Sequence, residues 1–256
     1  MPYANNGDVN IYYEVEGEGP PLMMLHGFQG STSDFREAGY VDALIDDYQL
    51  ILIDQCGHGK SDKPHEPDFY TVDQMNNDLI AVLDNLQIPK SNLMGYSGGG
   101  VWCQTLAQSA EERVNSLVLI DTGPKAYLSK DMVMMIRQVF EGGFEAYAAM
   151  IERTNPPSEE FKARMLTNDL EALAAILNSP MGDADITDNL PNMRMPFLVL
   201  IGENDVAFPP QVVRELYSGV SDMTFIVLPG LDHGSAFFRS DIMLPHIKEF
   251  LSRVNS

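Results

Sequence analysis

Cysteine is nearly absent from this 256-residue chain. Cys56 and Cys103 are its only two, too few for a disulfide framework, so a reducing compartment, the cytoplasm, is expected. Basic residues are scarce as well: Lys and Arg number 16 against 37 Asp and Glu, a formal net charge of -21. So acidic a surface repels phosphate backbones and anionic headgroups, and nucleic acid and membrane are excluded as expected partners. Long hydrophobic runs are missing; none approaches the roughly 20 apolar residues that span a bilayer. The opening residues also lack the basic start and apolar stretch of a secretory signal.

What remains is an ordinary globular mix, 45% hydrophobic and 21% charged, long enough for one main core. The β-forming run 9–15, preceded by the turn signal Asn6-Gly7, predicts an opening antiparallel hairpin. Short apolar runs follow at 22–25, 50–53, 92–94, 117–120, 197–201 and 225–228. Nearly continuous apolarity over so few residues suits strands buried on both faces of a parallel sheet. Helical patterns lie between them, one starting at Thr71, where Thr71-Val72-Asp73-Gln74 resembles a capping box. The alternation predicts a doubly wound, mostly parallel α/β sheet flanked by helices. From 124 to 194 no strand signal occurs, only helical pieces near 130–140, 143–153, 158–167 and 169–178. That interval is too long for a crossover and reads as a small helical cap inserted between core segments 1–123 and 195–256. Met132, Met134, Met135, Met150, Met165 and Met181 are expected to fill its contact with the core, with the alternative that some of them line an adaptable apolar pocket.

The chemistry concentrates in Gly95-Tyr96-Ser97-Gly98-Gly99. A buried strand before it and a helix after it would set Ser97 on a tight turn above the sheet edge, with the helix N-terminus favouring negative charge there. A serine hydroxyl needs a base. His233 follows the last predicted strand and reaches the same edge; His65, in a Pro-rich loop, and His246, in the final helix, do not. The base in turn needs a carboxylate. Asp205, after the next-to-last strand, fits the order Ser, Asp, His, and Asp121, after the run 117–120, is its rival. A developing oxyanion needs two amide donors. Gly98 N–H can supply one, and Phe28 N–H in His26-Gly27-Phe28-Gln29 the other, with Gln29 as an alternative. His26 beside Gly27 suits loop shaping. Cys56 and His58 are two ligand types without companions, so no metal or other cofactor is expected.

In this order the residues resemble the α/β-hydrolase fold superfamily over essentially the whole chain. Asp54-Gln55-Cys56-Gly57-His58-Gly59-Lys60-Ser61-Asp62 is similar to a signature of its serine-nucleophile esterase, lactonase and perhydrolase branch, with Cys56 where arginine is usual. A second departure is Gly98, where a larger residue is common. The resemblance implies hydrolysis of a small to medium, largely apolar carboxylic ester through an acyl-enzyme on Ser97. Lactonase, cofactor-free perhydrolase or haloperoxidase, and carbon–carbon bond hydrolase use the same residues and stay open. Outside the enzymes, a ligand-binding receptor with a vestigial triad is the alternative. Phe28, Trp102, Met135, Phe140, Tyr147, Phe208 and Phe237 are the expected substrate lining. The expected partner is a small-molecule ester or lactone, and a homodimer is left open.

Overall fold

A computed structural model describes residues 2–125, 130–153, 158–179 and 184–256. Eight strands form one sheet in the order β1-β2-β4-β3-β5-β6-β7-β8. β1 (Tyr3–Asn6) and β2 (Val9–Glu16) are the antiparallel hairpin, turned at Gly7 with φ 64°. β2 also pairs antiparallel with β4 (Gln49–Ile53). From there the sheet is parallel through β3 (Pro21–Leu25), β5 (Ser91–Tyr96), β6 (Val114–Ile120), β7 (Phe197–Gly202) and β8 (Met223–Leu228).

Strand residues alternate between two cores. Met23, Leu25, Ile51, Ile53 and Leu93 join one cluster, completed by α3 (Val72–Asn85) and α4 (Gly98–Ser109). Leu22, Met24, Leu50, Leu52 and Met94 join the other, closed by α1 (Ser33–Glu37), α2 (Tyr40–Leu44), α10 (His233–Phe237) and α11 (Ser240–Val254). Burial on both faces is why these runs lack polar alternation. Thr71 caps α3 by accepting the Gln74 N–H. The short helices α1 and α2 carry no pattern long enough to predict.

Between β6 and β7 the described residues include four α-helices: α5 (Lys130–Glu141), α6 (Gly143–Arg153), α7 (Glu159–Met165) and α8 (Leu170–Asn178). α9 (Pro210–Leu216) follows β7. Met150 and Met165 pack against the first core, as expected of the methionines. Met134 and Met135 do not; they are 53% and 58% exposed, on the outer side of α5. The Met132 side chain and Met181 lie outside the described residues. Arg164 of α7 pairs with the buried Asp34 of α1 at 2.7 Å and with Glu37 at 2.9 Å, tying the helical segment to the sheet's other flank. Among the described residues no helix is long and apolar enough to cross a membrane.

The α3 carboxyl of Asp78 is buried, with Oδ1 accepting from Asn6 at 2.7 Å and Oδ2 lacking a hydrogen bond. Burial pushes its pKa up to about 7, against the smaller opposing effect of Asn6. The folded state therefore keeps a proton that the unfolded chain loses near pH 4, and this carboxyl's contribution to stability falls as pH rises between those values. Asp78→Asn does not titrate. Its stability relative to wild type is expected to improve from pH 4 to pH 8, on the order of 3 kcal/mol. Urea denaturation of both proteins across that range is the check, and a difference independent of pH contradicts it.

Candidate active site

Because β3, β5, β6, β7 and β8 run parallel, the loops after them open on one edge, where open α/β sheets bind ligands. Ser97 sits between β5 and α4 with φ 50° and ψ -119°, a strained conformation for a residue with a side chain. The strain is held by bonds on both sides. Ser97 N–H donates to Ile120 O at 2.9 Å, and Thr122 Oγ1 donates to Ser97 O at 2.8 Å. Glycine is required next to the turn: a Cβ at Gly99 would overlap the carbonyl oxygens of Leu25 and His26.

Ser97 Oγ lies 2.9 Å from His233 Nε2, and His233 Nδ1 lies 2.8 Å from Asp205 Oδ2. Asp205 accepts at Nδ1, which assigns the ring proton there and leaves Nε2 to accept from the serine hydroxyl. The Asp205 side chain is wholly buried, and its Oδ1 accepts the Ala207 and Phe208 N–H groups, each at 2.8 Å. His233 is clamped between rings, with Phe208 stacked at 5.7 Å and Tyr96 at 5.4 Å. Tyr96 Oη also donates to His233 O at 3.0 Å. His233 follows β8, as its position in the sequence predicts, but at the start of a short helix. It opens α10, where Asp232 caps the Ser235 N–H and Ser235 bonds back, a capping box with serine in place of glutamate.

In the loop after β3, Phe28 faces Gly98, since a Cβ at Gly98 would sit 3.5 Å from the Phe28 nitrogen. Gln29, the alternative donor, is engaged: its N–H donates to His58 Nε2 at 3.1 Å. The sequence reading missed that role of His58. His26 acts similarly, with Nε2 accepting the Gln55 N–H at 3.1 Å and Nδ1 donating to Gly27 O at 2.8 Å. Burial lowers the His26 pKa to about 4 and that of His58 to about 3, so both rings are neutral acceptors. Cys56 is a buried thiol whose pKa is pushed far up by burial, with Sγ 3.7 Å from Asp62 O. His65 pairs with Asp169 and Glu171 at the surface. No cluster of three or more metal-ligating side chains exists among the described residues.

A cavity of about 670 Å³ flanks the elbow, with Gly27, Phe28 and Tyr96 on one wall and Met150, Ile151, Phe161 and Met165 of α6 and α7 on another. Of the predicted lining, Phe28 and Phe237 face it. Trp102 and Tyr147 do not; they are buried in the first core, and Phe140 and Phe208 are nearly so. Phe140 lies behind Phe28, ring centres 6.1 Å apart, and Tyr147 Oη donates to Gln29 Oε1 at 2.9 Å. Met135 points to solvent. Phe161 and Phe238 were not foreseen, because only tertiary packing aims them inward.

A hydroxyl, imidazole and carboxylate in line can deprotonate the hydroxyl as it attacks an electrophile, and two facing amides can hold an oxyanion. A family model described as alpha/beta hydrolase fold matches residues 20–184. A 3-oxoadipate enol-lactonase from Acinetobacter baylyi is 30% identical over 210 residues, 77% of each chain. Among solved structures, an enol-lactonase from Burkholderia xenovorans superposes with a TM-score of 0.87 at 23% identity, covering 98% of this chain and all of that one, a likeness of fold. A thermophilic esterase from Thermogutta terrifontis gives 0.83 at 25% identity, covering 97% and 95%. With eight strands in this order, an elbow after β5 and a family match over more than half its length, the chain belongs to the α/β-hydrolase fold family.

Proposed function

We propose that the protein hydrolyses small to medium, largely apolar carboxylic esters through an acyl-enzyme on Ser97. The observation that carries this reading is the continuous chain from Ser97 Oγ through His233 to Asp205, at 2.9 and 2.8 Å. Ser97 Oγ attacks the ester carbonyl carbon while His233 Nε2 takes its proton. Negative charge gathers on the carbonyl oxygen, where the Phe28 and Gly98 N–H groups and the N-terminus of α4 receive it. The tetrahedral intermediate expels the alcohol, which leaves with the proton from His233. Water then enters and attacks the acyl carbon while giving a proton to His233, and as the bond from the acyl carbon to Ser97 Oγ breaks His233 returns that proton to Ser97, releasing the acid. Asp205 holds the imidazole in the required tautomer throughout.

The segment 124–194 serves as a cap in this reading, and the flanking cavity takes the acyl group. Its aromatic and thioether wall suits a neutral chain. A lactone is the second reading, favoured by the 30% identity to an enol-lactonase. A panel of p-nitrophenyl acetate, butyrate, octanoate and hexadecanoate beside small-ring lactones separates them. The short and medium esters are expected to give the highest kcat/KM. A lactone turned over faster than any ester moves the assignment to lactonase, and release of no acid from any compound overturns both the ester and the lactone reading.

A further inference from the structure

β6 ends at Ile120, and the next residue carries a second unusual backbone: Asp121 has φ 43° with its side chain wholly buried. Aspartate tolerates this region better than most residues. Asp121 N–H donates to Leu200 O at 2.9 Å, and Asp121 Oδ1 accepts the Gly202 N–H at 2.8 Å, which ties the turn to both ends of the β7 terminus. Oδ2 is buried and receives no donor. The Asp121 carboxyl instead meets that of Asp205 within hydrogen-bond reach. Two carboxyl groups in such contact away from water share a proton, because both cannot be ionised.

The division of the proton follows from the donors. Asp205 receives three, from Ala207, Phe208 and His233, whereas Asp121 receives one, from Gly202. Asp205 is therefore the ionised member and Asp121 the neutral one. The Oδ2 atom without a donor is explained on the same terms, since it is itself the donor. We propose that Asp121 is a positioning residue, a neutral buried acid whose O–H donates to the Asp205 carboxylate as its fourth hydrogen bond. Resting on the hydrolase reading, this makes the acid of the site a carboxyl–carboxylate pair bearing one negative charge.

Burial, with Asp205 and Asp232 adding repulsion and Gly202 opposing, raises the Asp121 pKa to about 8. The groups facing it from neighbouring elements are Asp205 after β7, Asp232 before α10, and the phenols of Tyr40 on α2 and Tyr96 on β5. These groups are acidic or neutral, and the imidazole of His233 is already engaged by Asp205 at 2.8 Å. Above that pH Asp121 loses its proton, the O–H donor disappears, and two like charges press on the anchor of His233.

The test compares Asp121→Asn, whose amide still donates but never ionises, with Asp121→Leu, which cannot donate. Wild type is expected to show an inflection in its kcat–pH profile near pH 8 that Asp121→Asn lacks. At pH 7 Asp121→Asn should retain at least about tenfold more kcat than Asp121→Leu, with KM similar in both. Equal losses in the two variants, or an inflection that persists in Asp121→Asn, overturn the proposal. Infrared difference spectra of wild type against Asp121→Asn at pH 7 read the same claim without turnover. A protonated-carboxyl carbonyl band present only in wild type supports it even if no ester is hydrolysed. Absence of that band overturns it whatever the activity, so failure of this proposal and failure of the hydrolase reading are told apart.

Discussion

Ser97→Ala is expected to lower kcat for p-nitrophenyl butyrate on the order of 10⁴- to 10⁶-fold, to the background left by amide donors and binding. The loss is chemical rather than structural. The Ser97 side chain makes one hydrogen bond, to His233, while the backbone bonds that hold the elbow, Ile120 O and Thr122 Oγ1, do not involve it. Alanine keeps the Cβ, so the strain at φ 50° is the same in both proteins. Thermal stability is therefore expected to change by no more than about 0.5 kcal/mol. Nitrophenol release and a melting curve on the same preparation separate the two effects. Equal turnover in mutant and wild type contradicts a nucleophilic role.

Asp205→Asn is expected to cost about 10⁴-fold in kcat with little change in KM. The surroundings dictate how the amide must sit. Ala207 and Phe208 present two N–H groups to Oδ1, which only the amide oxygen can satisfy. The amide NH₂ is then forced onto His233 Nδ1, which must accept instead of donate. The ring proton moves to Nε2, where it faces Ser97 Oγ and blocks proton uptake. Because the defect is a tautomer, raising the pH is not expected to restore activity. The kcat–pH profile of the variant is the check, and recovery at high pH contradicts the mechanism.

The site was readable in sequence to the extent that it depends on chain order and strand ends. Ser97, Asp205 and His233 each follow a short apolar run, and parallel strands bring such positions to one edge. The same logic reached Gly98 and Phe28. It left Gln29 open as a donor, because the bond that occupies its amide comes from His58, 29 residues away. The lining was less legible. Trp102 and Tyr147 are large and apolar, as pocket residues are, but so are core residues, and only long-range packing sorts them. Phe161 and Met165 became lining through the placement of α7, which Arg164 secures against Asp34 and Glu37 by contacts more than a hundred residues apart in sequence. Asp121 entered as a rival to Asp205 on position alone. Their contact makes them a pair, a relation no spacing rule contains.

Covalent trapping addresses the central claim most directly. Wild-type protein treated with a fluorophosphonate and digested should carry one adduct, on the peptide containing Ser97, and His233→Ala should take up the label far more slowly. A stoichiometric adduct on another serine, or steady ester hydrolysis with Ser97 unlabelled, would contradict the assignment of Ser97 as the nucleophile.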